Sequence, residues 1–303
     1  MQNSPHKPVL LQEVLDCFKD IDDGYIVDAT LGYAGHSEEL LKANPNIKLI
    51  GIDRDNEAIS FSSNRLKPYT NRFSIIKKDF ANGILECLDH PIKGILADIG
   101  VSSLQLDDTN RGFRFDSEAL DMRMDVNSSL SASDVVNSYS KSQLEQIFKD
   151  YGEVKEYKRL ADLIINNRPF TSANSLANII SKNFTSKGIH PATLAFQAIR
   201  IEVNDELGQL KSFLENLSKN EEKLSNTTLA IISFHSLEDR IVKQTFKSWT
   251  QNCICPSGIM RCICENNHSK GKIITKKPII PTPNEIKTNP RSRSSKMRIF
   301  KFD

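Results

Sequence analysis

Residues Asp28 to Ser37, Asp-Ala-Thr-Leu-Gly-Tyr-Ala-Gly-His-Ser, join a carboxylate, two glycines and the start of a helical pattern. They follow the apolar run Tyr25-Ile26-Val27 and precede Glu38-Glu39-Leu40-Leu41, so they read as strand, turn and helix N-terminus. Gly32 and Gly35 let the backbone bend and a ligand come close. The helix start offers N–H groups to an anion. A second apolar run, Leu49 to Ile52, ends in Asp53, and an acid some twenty residues beyond such a turn is where a doubly wound sheet grips a ribose diol. A nucleoside-bearing cofactor is therefore expected. A dinucleotide would call for G-x-G-x-x-G, whereas the turn here is Gly32-x-x-Gly35 with Ala34 inside it. S-adenosylmethionine carries an ammonium and a carboxylate but no phosphate, which suits an acid at a strand end plus turn N–H groups. The plainer alternative is an ordinary β–α connection whose glycines serve geometry alone.

The elements that must position these residues alternate. Strands are expected at Tyr25–Asp28, Lys48–Asp53, Phe73–Lys77 and Gly94–Asp98, with helical patterns between them such as Asn56–Leu66. This rhythm predicts a parallel sheet covered on both faces. Asp28, Asp53, Asp79 and Asp98 would then share the edge where such sheets bind ligands. The rhythm stops at Leu106. Helical patterns follow at Ser142–Tyr151, Glu156–Asn167 and Ser172–Phe184, with one long helix from Pro191 to about Leu214. Strand pattern returns at Leu229–Phe234 and Met297–Phe302, with a helix at Leu237–Trp249 and an extended, proline-rich arm from Pro278 to Arg293. The expected fold class is α/β, with one domain from 1–105 and 205–303 and an inserted helical domain at 106–204.

The 303 residues are 39% hydrophobic, enough for a sizeable core, and no apolar run nears the ~20 residues of a membrane span. With no signal-peptide core at the N-terminus, a cytoplasmic location is expected. The net charge of +2 hides an asymmetry: ten Lys/Arg against two acids from Lys270 to Asp303 give +8, so the remainder sums to −6. A basic tail suits a polyanion, or else forms a solvated face. Cys17 and Cys87 sit among apolar neighbours. Cys253-Ile-Cys255 and Cys262-Ile-Cys264 form two C-x-C pairs. In a reducing compartment these lean towards metal over disulfide, yet C-x-C departs from the usual zinc-knuckle spacing. No metal ligand is assigned, and structural zinc stays open.

Several blocks together are specific: His6 to Val14; Asp28 to Ser37; Asp98-Ile-Gly-Val-Ser-Ser-Leu-Gln-Leu-Asp107; Arg111-Gly-Phe-Arg-Phe115; Leu120 to Asp125; His190-Pro-Ala-Thr193 with Phe196 to Ile201; Ile232 to Arg240; and Arg291 to Lys296. Through them the chain resembles, over almost its whole length, the bacterial RsmH family, also called MraW. These are S-adenosylmethionine-dependent methyltransferases of N4 of a cytidine in the decoding region of 16S ribosomal RNA. The resemblance implies a Rossmann-like class I methyltransferase sheet with an inserted substrate-recognition domain. It implies that Ala34, Gly35 and His36 border the methionine portion, Asp53 holds the ribose, Phe80 lines the adenine or ribose, and Asp98 and Gln105 close the pocket near the reactive end. Ala34 stands where the family usually has glycine, Leu104 where proline is common and Leu194 where arginine is common. The implied partner is 16S rRNA within the small subunit, and a homodimer is possible.

Asp98 is the candidate catalytic residue, as acceptor for an N–H of the cytosine amine, or else it only binds the cofactor ammonium. Arg111, Arg114, Arg123 and Arg200 are candidate RNA contacts. Phe113 and Phe115 would stack on a splayed base or belong to the helical core. His36 is expected to pack on the cofactor and His235 to order the turn after a strand. Two other classes are weighed: a dehydrogenase on the same fold, which the imperfect turn disfavours, and a non-catalytic RNA-binding protein of ribosome assembly.

Overall fold

Runs of Ile, Leu and Val fold into β1 (Gly24–Asp28), β2 (Ile47–Asp53), β3 (Phe73–Lys77), β4 (Ile92–Asp98) and β5 (Thr228–Ser233). These five pair in parallel. The computed structural model describes residues 7–101, 106, 108–185, 188–256 and 262–303. The chain divides into two compact units, Met1–Gly100 with Gln209–Asp303, and Val101–Gly208.

In the first unit the strand order is β3-β2-β1-β4-β5-β7-β6, where β6 is Gly271–Ile273 and β7 is Lys296–Phe302. Both late strands run antiparallel to their neighbours, so the sheet is mixed rather than wholly parallel. β6 spans three residues, too short to show an alternating pattern in the sequence. The order reverses direction between β1 and β4, the switch point where open α/β sheets leave a crevice beyond the strand ends. This is the Rossmann-like class I sheet implied above.

Side chains alternate across the sheet. Val27, Ile50, Ile95 and Ile231 face one core, with Phe213, Val242 and Phe246. Ile26, Leu49, Leu96 and Ile232 face the other, with Val14, Phe18, Leu40 and Leu41. The helices of this unit include α1 (Leu11–Phe18), α2 (Gly35–Ala43), α3 (Asn56–Arg65) and α4 (Phe80–Cys87).

The second unit contains α5 (Ala132–Ser138), α6 (Lys141–Asp150), α7 (Tyr157–Asn166), α8 (Ala173–Asn183) and α9 (Thr193–Asn204). They close around Leu144, Phe148, Leu160, Leu176 and Ile199. The single helix expected from Pro191 is broken. Asp205 adopts a left-handed conformation (φ 48°) that ends α9 and lets α10 (Glu206–Lys219) begin. The Asp205 carboxylate then lies over Gly208, where any Cβ would collide with it.

α11 (Ser236–Trp249) follows β5. The proline-rich arm is not wholly extended, since α12 (Pro283–Thr288) and a 3-10 turn at Pro290–Ser294 occupy it. Thr282 accepts a hydrogen bond from Glu285 N–H, and Pro283 sits at the first helical position, where its missing donor costs nothing.

Candidate active site

Three of the four expected acids end parallel strands: Asp28 on β1, Asp53 on β2 and Asp98 on β4. They therefore share one sheet edge. Asp79 follows β3 by two residues at the same edge, and its carboxylate is taken up locally. It caps α4, taking Asn82 N–H on Oδ1 (2.9 Å) and Asn82 Nδ2–H on Oδ2 (2.8 Å).

The glycine turn is locked from both sides. Asp53 Oδ2 accepts Gly32 N–H (2.8 Å) and Oδ1 accepts Asp55 N–H (2.9 Å). Burial pushes the Asp53 carboxyl above its ordinary value against these bonds. Asp28 is 2% exposed. Its Oδ2 accepts Ser37 Oγ–H at 2.6 Å and its Oδ1 accepts Thr30 N–H at 3.3 Å. Asp28 thus ties the strand end to the start of α2, and burial pushes its carboxyl up despite Ser37, His36 and Thr30. Thr30 Oγ1 in turn accepts Asp98 N–H (2.7 Å), joining β1 to β4 across the switch point.

Ala34 precedes α2 with φ 56° and is fully buried. At Gly35 a Cβ would come within 2.7 Å of Pro8 Cγ, so glycine is needed for the N-terminal segment to pack there. His36 Nε2–H donates to Val9 O (2.8 Å), and Nδ1 lies 3.8 Å from Asp98 Oδ2. Phe80 opens α4 and meets Phe213 edge-on at 5.3 Å. Gln105 and Leu104 lie outside the described residues.

Asp98 differs from its neighbours. Its side chain keeps 23% exposure, but Oδ1 is buried and has no hydrogen-bond partner among the described residues. Burial raises its carboxyl from 3.8 to about 6; His36 works against this, and Asp28 and Glu238 add to it. An unsatisfied carboxylate oxygen at this edge fits a cationic or N–H-bearing ligand.

The MraW methylase family matches residues 3–303. Proteins called ribosomal RNA small subunit methyltransferase H are 60% identical in Aliarcobacter butzleri, over 99% of this chain and 99% of theirs. Those in Nitratiruptor sp. are 57% identical over 99% of each. One in Helicobacter pylori strain P12 is 52% identical over 99% of this chain and 98% of its own.

The chain belongs to the MraW methylase family. It is a methyltransferase using S-adenosylmethionine, which displaces the dehydrogenase and non-catalytic readings. Asp53, Phe80, Asp98 and the Ala34–His36 turn fit that cofactor as a donor set: acids at strand ends, an aromatic at a helix start and an unpartnered carboxylate oxygen.

In the helical unit the four arginines are bonded within the unit. Arg111 Nη2–H donates to the Arg123 and Met124 carbonyls at 2.9 and 3.0 Å. Arg123 forks onto Asp121 and also donates to Val126 O and Ser128 O. Arg200 forks onto Glu206 at 2.8 and 3.0 Å. Arg114 is the most exposed, at 45%, and pairs with Asp116. Phe113 is buried in the helical core. Phe115 stacks on His190 at 4.2 Å and meets Phe196 edge-on at 4.9 Å. His235 caps α11, its Nδ1 accepting Glu238 N–H.

Thr30, Ser37, Pro8 and Val9 were given no role by the sequence, yet they hold the turn and Asp98 in place. Thr30 had a readable signal, a hydroxyl two residues beyond a strand-ending acid. A backbone carbonyl such as Val9's has none.

No helix among the described residues is long and apolar enough to cross a membrane.

Proposed function

We propose that this methyltransferase modifies N4 of a cytidine in the decoding region of small-subunit ribosomal RNA, in the cytoplasm. Asp98 acts as N–H acceptor, Asp53 holds the ribose hydroxyls, and Ala34, Gly35, His36 and Phe80 complete the cofactor pocket. The observation that carries the reading is the buried, unpartnered Asp98 Oδ1 beside the β1–β4 switch point. The relatives' name supplies the RNA class, and the family resemblance supplies the base.

When bound, S-adenosylmethionine supplies an electrophilic methyl on its sulfonium. The chain's part is alignment and proton handling. A cytosine amine is a weak nucleophile because its lone pair is delocalised into the ring. Asp98 Oδ1, accepting one amine N–H, draws electron density back onto nitrogen. The same carboxylate takes the released proton, which a group titrating near 6 can pass on to solvent. His36, fixed through Val9 O, keeps its Nδ1 3.8 Å from the other carboxylate oxygen.

The test is methyl transfer from labelled cofactor to small subunits and to naked 16S rRNA, with the product base identified by mass spectrometry. N4-methylcytidine is expected, and label on neither RNA overturns the reading. Asp98→Asn separates the two roles of that carboxylate. Loss of kcat by about 100-fold or more at unchanged cofactor Kd marks an acceptor, whereas a weakened Kd marks an ammonium site.

A further inference from the structure

The four cysteines left open by the sequence converge. Cys253 Sγ lies 3.7 Å from Cys262 Sγ and 3.8 Å from Cys264 Sγ. Cys262 Sγ lies 3.6 Å from Cys264 Sγ and 4.0 Å from Cys255 Sγ. All four sulfurs fall within 4.8 Å of one another. A disulfide needs about 2.05 Å, so these are not bonded pairs. A tetrahedron with metal–sulfur bonds of about 2.3 Å has edges of roughly 3.8 Å, which is the spacing observed. An iron–sulfur cluster interposes sulfide ions and would spread the thiolates wider.

Two backbone donors point the same way. Ile254 N–H donates to Cys264 Sγ and Ile263 N–H to Cys255 Sγ, each at 3.4 Å. Each C-x-C pair thus donates its middle N–H to a sulfur of the other, which offsets the negative charge that four thiolates keep around a divalent ion.

Among the described residues the surrounding segment has few other anchors. It leaves α11 and re-enters at β6, pinned at its base by Lys270 N–H to Trp249 O and His268 N–H to Asn252 O. Among its described residues, Ile254 and Ile263 are 60% and 76% exposed. A segment whose described apolar side chains lie in solvent is where a structural ion contributes most.

We propose that Cys253, Cys255, Cys262 and Cys264 form a structural site for one zinc ion that folds the segment between α11 and β6. Untagged full-length protein, purified under reducing conditions without chelators, should carry about one zinc per chain. Its Kd should be on the order of 1 nM or tighter in dye competition. Cobalt exchanged into the site should show the visible bands of a tetrahedral tetrathiolate centre. Stripping the wild-type protein with a mercurial should speed proteolysis between residues 250 and 270 about tenfold, and zinc should restore protection. Cys253→Ser with Cys262→Ser should lose the metal, while Cys17→Ser and Cys87→Ser keep it. Stoichiometric iron, two disulfides in the reduced preparation, or zinc below about 0.1 per chain with no uptake on titration would each overturn the proposal.

Discussion

Ala34 stands at φ 56° with no exposed surface. A non-glycine residue there costs about 1–2 kcal/mol, while its buried methyl returns about 0.8 kcal/mol. Ala34→Gly should therefore leave stability within about 1 kcal/mol of the parent in urea melts. Ala34→Val adds β-branching in the same conformation and has no room, so it should cost more than about 2 kcal/mol and weaken cofactor binding. Equal melts for the two variants would mean that the turn relaxes freely. Asp98 makes the opposite trade. Its folded value is raised from 3.8 to about 6, so proton binding favours the fold. That contribution is complete below about pH 4 and is lost as pH rises through about 6. At about pH 7.5 Asp98→Asn should raise the cofactor-free protein's stability, by on the order of 2 kcal/mol, and the gain should vanish near pH 4. In the parent, kcat should rise with pH through about 6. A variant less stable than the parent at about pH 7.5 would mean that the carboxylate holds the fold rather than waiting for a ligand. The acids at strand ends and the glycines were readable in the sequence because residue type and spacing alone mark them. What holds them was less so. His36 leans on a backbone carbonyl, and Gly35 is required by Pro8, a neighbour that spacing alone does not reveal.

Among elements, the strands were legible because a strand buried on both faces is a continuous apolar run, as Ile47–Asp53 and Ile92–Asp98 are. Helices with side-chain caps were legible too, and Ser172 does accept Ser175 N–H at the start of α8. The break at Asp205 was not, because the apolar stripe from Phe196 to Leu214 continues through it and only a backbone dihedral interrupts the helix. Nor was the direction of β7, which is set by its partners. The α11–β7 contact has a consequence at this scale. Asp239 on α11 accepts a fork from Arg298 on β7 at 2.7 and 3.1 Å, with Lys296 at 3.6 Å. Burial pushes the Asp239 carboxyl up, but Arg298 and Lys296 outweigh it and hold it below the ordinary range. The pair's contribution is thus present above about pH 4 and lost as pH falls through the lowered folded value. Asp239→Asn should cost about 3 kcal/mol near neutrality, because it strands a buried guanidinium. The gap to the parent should close in acid melts below about pH 4. A gap independent of pH would assign the loss to packing instead.

Across the whole molecule, charge and chain ends were only half legible. The +8 tail was countable, but its internal pairing was not: Lys270 pairs with Glu221 and Arg298 with Asp239. The tail also holds the other terminus, since Leu10 N–H donates to Glu285 Oε1 (2.8 Å) and Asn289 Nδ2–H to Lys7 O (3.0 Å). That places Pro8 and Val9 against Gly35 and His36, a coupling across some 280 residues of chain that no local pattern encodes. The tail's charges therefore do not act alike. Lys270 and Arg298 stabilise the fold, while Lys276, Lys277, Lys287 and Arg293 are among the exposed residues and suit a phosphate backbone. If small-subunit RNA is the substrate, each such phosphate contact releases about 0.7 counterion on a single strand. Changing all four to Gln should then lower the slope of log K against log salt by about 3, weakening rRNA binding alike for matched and scrambled target sequences. Cofactor affinity and melting should stay at parental values. Lys270→Gln should do the reverse, lowering stability while leaving the salt slope intact. An unchanged slope in the fourfold variant would remove the tail from the RNA interface and leave its charge as a solvated face.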